Sequence, residues 1–529
     1  MNNYPYIKKA RDFMKANNIN YLLINSTNEF LVEYNSLEKN SRYFLTGFSG
    51  SAGDALVTEK DVFLFVDGRY HTQADLEVNH EEINVVKLQI GDNCLDEMLK
   101  KMDTDSVIGV CSKKNSQLRY ENLNKKLTEK NISIKLFDFD ILENPIEDKP
   151  QKLTKIDITL SGKSTQEKLK DLSKNLNDDE AIVITNLEEL SYLYNLRNFE
   201  KENSCSIEGK AIITKTDNIL FINENLNEFE NYIKNNQKIN HFFVNKNSIT
   251  AYDYSLLKDK AKAMELSPIR NTKAIKTDAE IKHYIEAFKN TDRALTATRQ
   301  FIEENENISE FDIKNELESN FKKFGAVGQS FTSIVAKDSN SALAHYSKSS
   351  KDEILKNGSL VLIDCGGYFE GGLATDITRV FVKGEPSELQ KKVYTTVLKA
   401  FLAAFNTTNT NCGYVIDKIA RDFLNENAPE GFLFNHGLGH GIGVSVHEGP
   451  PRLSTSGDDT LFPLEDNMCF TIEPGLYKQG YFGVRLENSC YMKDGKIKSF
   501  SNMCYEKKLI DFSMLSEQEK LWLNSFEVK

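Results

Sequence analysis

The chain has 529 residues, enough at roughly 150 residues per domain for three or four domains and more than one buried core. Hydrophobic residues make up 40% and charged residues 27%, ordinary globular proportions that exclude wholesale disorder and a membrane bundle. Acidic residues outnumber basic ones by 78 to 66, a net charge of -12 that argues against general affinity for nucleic acid or anionic membrane.

The N-terminus carries no continuous apolar segment of the signal-peptide kind, and nowhere does an apolar run reach the ~18 residues of a membrane span. A soluble, cytoplasmic protein is expected. The first element in chain order is a helix-like stretch from Tyr6 to Asn17, followed by the apolar run Tyr21 to Asn25. Two β-rich runs around a polar turn, between Ala55 and Asp67, then predict a hairpin. The same order recurs with Gln166 to Asn175, Ala181 to Thr185, and a hairpin between Ala211 and Asn223 that shares five of thirteen positions with the first. Two related α/β domains are predicted, at 1–140 and 155–270. Residues 138–160, with two prolines and many charges, read as the linker between them.

A second break falls near 265–277. There Thr277-Asp-Ala-Glu280 has the form of a capping box opening a long amphipathic helix that runs to about residue 304. Beyond it, glycine-rich loops alternate with short β-like runs such as Ser359 to Gly367 and Asn467 to Gly475, so 278–529 is predicted to be the catalytic domain. The eight cysteines are scattered without C-x-x-C spacing, which suits reduced core thiols in the cytosol better than a disulfide framework or a zinc site.

Five segments of this last portion place charged or imidazole groups where strands would end or be half-buried. They contain His345; Asp364 with Asp376; His436 and His440; Glu473; and Arg485 with Glu487. A buried carboxylate costs several kcal/mol unless a cation compensates it, and four together repel one another. Two divalent cations resolve the repulsion, because Asp364, Asp376, Glu473 and Glu487 supply four negative charges against four positive. Oxygen-rich ligation with a single imidazole favours a harder ion such as Mn²⁺ over a thiolate-preferring or structural Zn²⁺ site. Such ions lower the pKa of a shared water and polarise a carbonyl, which is two-metal hydrolysis. Glycines at 437, 439, 441 and 443 exclude a stable helix for the two histidines, so this is not the helical H-E-x-x-H arrangement. No G-K-[ST] follows them, as a phosphate loop would need.

In this order the segments resemble the pita-bread metallopeptidase family, and within it the Xaa-Pro aminopeptidases of the three-domain, cytosolic kind. Further matches are Arg42 to Gly53, Asp67-Gly-Arg-Tyr70, Leu190 to Arg197, Val446-His-Glu-Gly-Pro450 and the closing stretch from Met514 to Trp522. The resemblance implies two creatinase-like α/β domains followed by a pita-bread catalytic domain, an α/β (α+β) architecture. It implies an enzyme that removes an N-terminal residue when proline follows, with two divalent ions, most readily Mn²⁺, and a homodimeric assembly. By matching position, Asp364 chelates one ion, Asp376 and Glu487 bridge both, and His440 and Glu473 hold the second. Glu473 doubles as proton acceptor, His345 and His447 hold or protonate the scissile peptide, and His436 lines the proline side. Arg485 orients a carboxylate or is a salt bridge beside the ligands.

The family usually places its two aspartates eleven positions apart, whereas Asp364 and Asp376 are twelve apart. A register slip of one would turn Asp376 away. Gly366, Gly367, Gly371 and Gly372 allow the extra residue to be absorbed in the turn or a bulge, and absorption is expected. Prolidase, restricted to dipeptides, is the alternative within the family. Methionine aminopeptidase fits less well because it normally lacks two leading domains. A non-catalytic pita-bread binding protein is the alternative from another class, and it would have lost ligands that are all present here.

Overall fold

The computed structural model describes residues 3–529 except 90, 145–148, 409–410 and 458. The chain divides into two compact units. One comprises Met1–Gln151, Gln166–Leu193 and Ile207–Pro268; the other comprises Lys152–Thr165, Tyr194–Ser206 and Ile269–Lys529.

The first unit holds two sheets. The six-stranded sheet runs in the order Asn84–Lys87, Val62–Val66, Asp54–Val57, Tyr21–Ile24, Val107–Cys111 and Ser133–Phe137. The five-stranded sheet runs Asn218–Phe221, Lys210–Thr214, Glu180–Ile184, His241–Asn245 and Ala261–Met264. Apart from the extra edge strand of the first, the two sheets share their connectivity. In each, a hairpin lies antiparallel beside the first strand, whose other edge is joined by two parallel strands. The recurrence seen in the sequence is therefore a repeated topology. Helices Tyr4–Asn17 and Thr165–Ser173 precede the first strands.

The predicted linker is structured in part. Thr154–Lys155 pairs antiparallel with Leu196–Arg197, and Ile158–Ser161 forms one helical turn. Pieces this short carry no periodicity to read. Residues 145–148 of that linker lie outside the described residues.

The second unit opens on the helix Asp278–Glu304, with the capping box in place: Glu280 N donates to Thr277 Oγ1 at 3.1 Å and Thr277 N to Glu280 Oε2 at 2.8 Å. This helix and Glu310–Lys323 cover one face of a three-stranded antiparallel sheet, Ile334–Lys337, Leu360–Cys365 and Ile377–Val382. Side chains alternate along each strand. Val335, Val361, Ile363, Ile377 and Phe381 join the core of the two helices. Ile334, Leu360, Leu362, Val380 and Val382 pack in the other core with residues of helices Glu388–Phe405 and Gly413–Asn427. Asp364 and Thr378 continue the second face, where the apolar stripe gives way to charge.

Candidate metal centre

Asp364 lies opposite Thr378 at the end of the pairing between Leu360–Cys365 and Ile377–Val382. Asp376 is two residues from Thr378, so both aspartates share one face. The register stays continuous from Leu360 opposite Val382 to Tyr368 opposite Ala374, leaving residues 369–373 as the tip. Gly372 turns there at φ +61°, donating its amide to Phe369 O at 2.8 Å. The strand pairing on either side of the aspartates thus contains no inserted residue, and Asp376 keeps its parity.

Three other chain segments converge on this face. Glycines around His440 let the chain run extended: a Cβ at Gly439 would stand 2.0 Å from Thr471 O, and one at Gly441 2.2 Å from Glu448 O. His440 Nε2 lies 3.6 Å from Asp376 Oδ2 and 3.5 Å from Glu473 Oε1. Glu473 directly follows the strand Cys469–Ile472. Glu487 follows Phe482–Arg485, and its amide donates to Thr378 O at 3.2 Å. Ligand atoms of Asp376, His440 and Glu487 all fall within 4.8 Å of one another.

Arg485, 3% exposed, ties the cluster together. Its guanidinium donates to Asp364 Oδ2 at 2.6 Å, to Thr378 Oγ1 at 3.1 Å and to the Tyr477 hydroxyl at 2.8 Å, and Nε lies 4.0 Å from Glu473 Oε2. The Thr378 hydroxyl in turn donates a hydrogen bond to Glu487 Oε2 at 2.8 Å. Burial lowers the pKa of the guanidinium, but Tyr477, Asp364 and Glu473 more than offset it and hold the group well above its ordinary range. Tyr477 also meets His436 Nε2 at 2.8 Å, so His436 reaches the cluster through a phenol. Burial pushes that phenol up to about 12. The sequence offers no spacing that marks Tyr477 or Thr378; each enters through strand pairing. The His447 ring stands edge-on to His440 at 4.4 Å between centroids. His345 is half-buried after the 3-10 turn Asp338–Ala342, whose Ser341 bonds Gly483 in the strand that carries Arg485.

The donor set fits divalent cations. Oδ1 of Asp364 and Oε1 of Glu487 are buried and have no hydrogen-bond partner among the described residues. Burial, then Glu487, Asp364 and Glu473, drive the Asp376 carboxyl well above its usual range. Burial and Asp364 push Glu487 up to about 8. Protein cations therefore under-compensate these carboxylates, and orphaned oxygens remain for an ion to take.

Known proteins resemble the chain throughout. Residues 282–494 match Metallopeptidase family M24, and 7–142 and 143–280 each match a Creatinase/Prolidase N-terminal domain. A "Probable Xaa-Pro aminopeptidase P" of Laccaria bicolor is 29% identical over 100% of this chain and 90% of its own length. One from Paracoccidioides brasiliensis is 27% identical over 98% and 94%. Among solved structures, X-prolyl aminopeptidase from Caenorhabditis elegans, described as a cytosolic enzyme with a di-nuclear active site, superposes with a TM-score of 0.91 at 21% identity, covering 99% of this chain and 95% of that one. The matches leave little of the chain unaccounted for: it belongs to metallopeptidase family M24, with two creatinase/prolidase N-terminal domains ahead of its peptidase domain.

Proposed function

We propose that the protein is an Xaa-Pro aminopeptidase that hydrolyses the bond between an N-terminal residue and a following proline. The observation that carries this reading is the cluster of Asp364, Asp376, His440, Glu473 and Glu487, with its orphaned oxygens, in a chain that aligns end to end with relatives named for that activity. Proline lacks an amide hydrogen and restrains the residue before it, so ordinary aminopeptidases handle the bond badly.

In this reading Asp364 would hold one divalent ion and His440 and Glu473 the other, with Asp376 and Glu487 available to both. When bound, the ions supply Lewis acidity that lowers the pKa of a water and polarises the scissile carbonyl. Glu473 takes the proton of the attacking water. His345 and His447 hold the peptide carbonyl and protonate the departing nitrogen, and His436 bounds the proline side. Arg485 fixes the carboxylate plane of Asp364 through Oδ2, leaving Oδ1 for the ion. Mn²⁺ suits the set, since four of its five side chains offer oxygen.

We assign the enzyme to the cytosol, as a homodimer. Its eight cysteines are unpaired and seven of them buried, and no helix of the described residues is long and apolar enough to cross a membrane. Light scattering on the purified protein tests the assembly. The test of function is turnover of an Xaa-Pro tripeptide beside Xaa-Ala and Xaa-Pro dipeptide controls, with and without added Mn²⁺, together with metal analysis. Mn²⁺-dependent release of the first residue from the Xaa-Pro tripeptide alone is expected. Activity confined to the dipeptide would make the protein a prolidase, and a protein that retains no metal when Mn²⁺ is supplied would make it a binding protein.

A further inference from the structure

Glu448 follows His447 and is 4% exposed. Its two oxygens have separate partners. Oε1 lies 3.0 Å from Lys273 Nζ and 3.2 Å from Lys276 Nζ, while Oε2 accepts the amides of Val444 at 2.7 Å and Ser445 at 3.3 Å. The backbone closes the same loop, since Glu448 N donates to Gly441 O at 2.8 Å. A side chain at Gly443 would displace this carboxylate, because a Cβ there would stand 1.9 Å from Glu448 Oε1. The loop's outer carbonyls accept from the aspartate hairpin: Ala374 N donates to Gly443 O at 2.8 Å and the Tyr368 hydroxyl to Val444 O at 2.9 Å. His447 therefore sits in a ring of backbone that one buried carboxylate draws shut.

We propose that Glu448 is a positioning residue, which fixes the imidazole of His447 beside His440 by closing the 441–448 loop on itself. This rests on the reading of His447 as a substrate-facing histidine. The carboxylate is suited to the task because all its neighbours are donors: two ammonium groups on one oxygen and two amides on the other. A glutamine of the same shape would have to turn its NH₂ toward one donor pair, so half of the ring would lose its acceptor.

The test is a double-mutant cycle on the full-length protein: wild type, Glu448→Gln, His447→Ala and the pair, each purified with Mn²⁺ supplied. Glu448→Gln should keep wild-type metal content and lose about 10- to 100-fold in kcat on the Xaa-Pro tripeptide. In the His447→Ala background the same change should cost less than about twofold, because its effect passes through that imidazole. A readout independent of turnover is the spectrum of [13Cε1]histidine-labelled protein. The His447 resonance, identified by its absence from His447→Ala, should move further in Glu448→Gln than that of any other histidine. Equal losses in both backgrounds, loss of metal, or an unmoved His447 resonance would overturn the proposal.

Should Glu448→Gln fail to accumulate as folded protein, Lys273→Gln replaces it, removing one ammonium and leaving both amide contacts. The same pattern at smaller amplitude is expected; unchanged kcat with an unmoved resonance overturns the proposal. If the wild type turns over no Xaa-Pro peptide while the resonance moves as expected, the functional reading falls and the positioning role stands.

Discussion

Glu487 spends one oxygen on the Thr378 hydroxyl and keeps the other buried, without a hydrogen-bond partner among the described residues. Glu487→Gln hardly changes volume, and the amide can still accept from Thr378. With the amide oxygen kept on Thr378, an uncharged NH₂ donor replaces the anionic oxygen facing the cluster, so two cations there would be under-compensated. The variant should fold, with metal occupancy and activity both sharply reduced, as elemental analysis and tripeptide turnover will show. Wild-type occupancy would remove Glu487 from the ligand set. His447 answers the opposite way. His447→Ala should retain its metals and lose roughly 10²- to 10⁴-fold in turnover, the usual contribution of a group that transfers a proton. Metal loss as the main defect would make His447 a ligand instead.

At the scale of elements, the hairpin between the aspartates and the loop around His447 are built on positions where only glycine fits. A Cβ on Gly366 would lie 1.8 Å from Thr375 O and 2.4 Å from Ser330 Oγ. The clash is with backbone next to Asp376, so it cannot be relieved by a side-chain rotation. Gly366→Ala should cost about 1–3 kcal/mol, the usual range for overpacking, and weaken metal retention, read by thermal unfolding and metal analysis. Unchanged stability would show that the two strands can part without loss.

The His447 loop has a pH signature. Burial alone would raise the Glu448 carboxyl, yet Lys273 and Lys276 bring it down to about 2 from 4.5. A group whose pKa is lower folded than unfolded stabilises the native state fully above its unfolded value, and that stability is lost as pH falls toward the folded value. Between pH 4.5 and 2 the wild type should therefore lose about 3 kcal/mol that Glu448→Gln does not lose. Urea midpoints for both proteins across that window measure it, and parallel curves would dismiss the ion pair as a source of stability.

These elements were legible where their logic is local. The capping box at Thr277, the paired hairpins, and the glycines that exclude a helix at His440 each follow from residues a few positions apart. The partners of Arg485 were not, because Tyr477 and Thr378 reach it only through strand registers that place Gly475 opposite Arg485 and Asp364 opposite Thr378. Glu448 was visible as part of Val446-His-Glu-Gly-Pro450, but its lysines lie 172 or more positions earlier, in the break before the long helix.

At the scale of the whole molecule, the unit that carries the cluster is not one continuous stretch of chain. It takes in Lys152–Thr165 and Tyr194–Ser206, whereas Gln166–Leu193 and Ile207–Pro268 belong to the other unit. These borrowed segments are bonded to the peptidase portion. Arg197 Nε donates to Gly372 O at 2.8 Å, Cys205 Sγ to the same carbonyl at 3.3 Å, Asn203 Nδ2 to Thr332 Oγ1 at 2.9 Å, and Thr277 Oγ1 to Ser161 O at 3.1 Å. Gly372 is the turning point of the hairpin that joins Asp364 to Asp376, so a cut near residue 270 strips the donors from its carbonyl. A fragment of residues 270–529 should consequently unfold at lower temperature than the full chain and retain less metal. Arg197→Met in the full chain should reproduce part of the defect, at about 1–3 kcal/mol for a buried carbonyl that loses a charged donor. Thermal unfolding and metal content for the fragment, the variant and the full chain decide the matter. A fragment that matches the full chain in both would show that the peptidase portion owes nothing to the segments it borrows from the middle of the sequence.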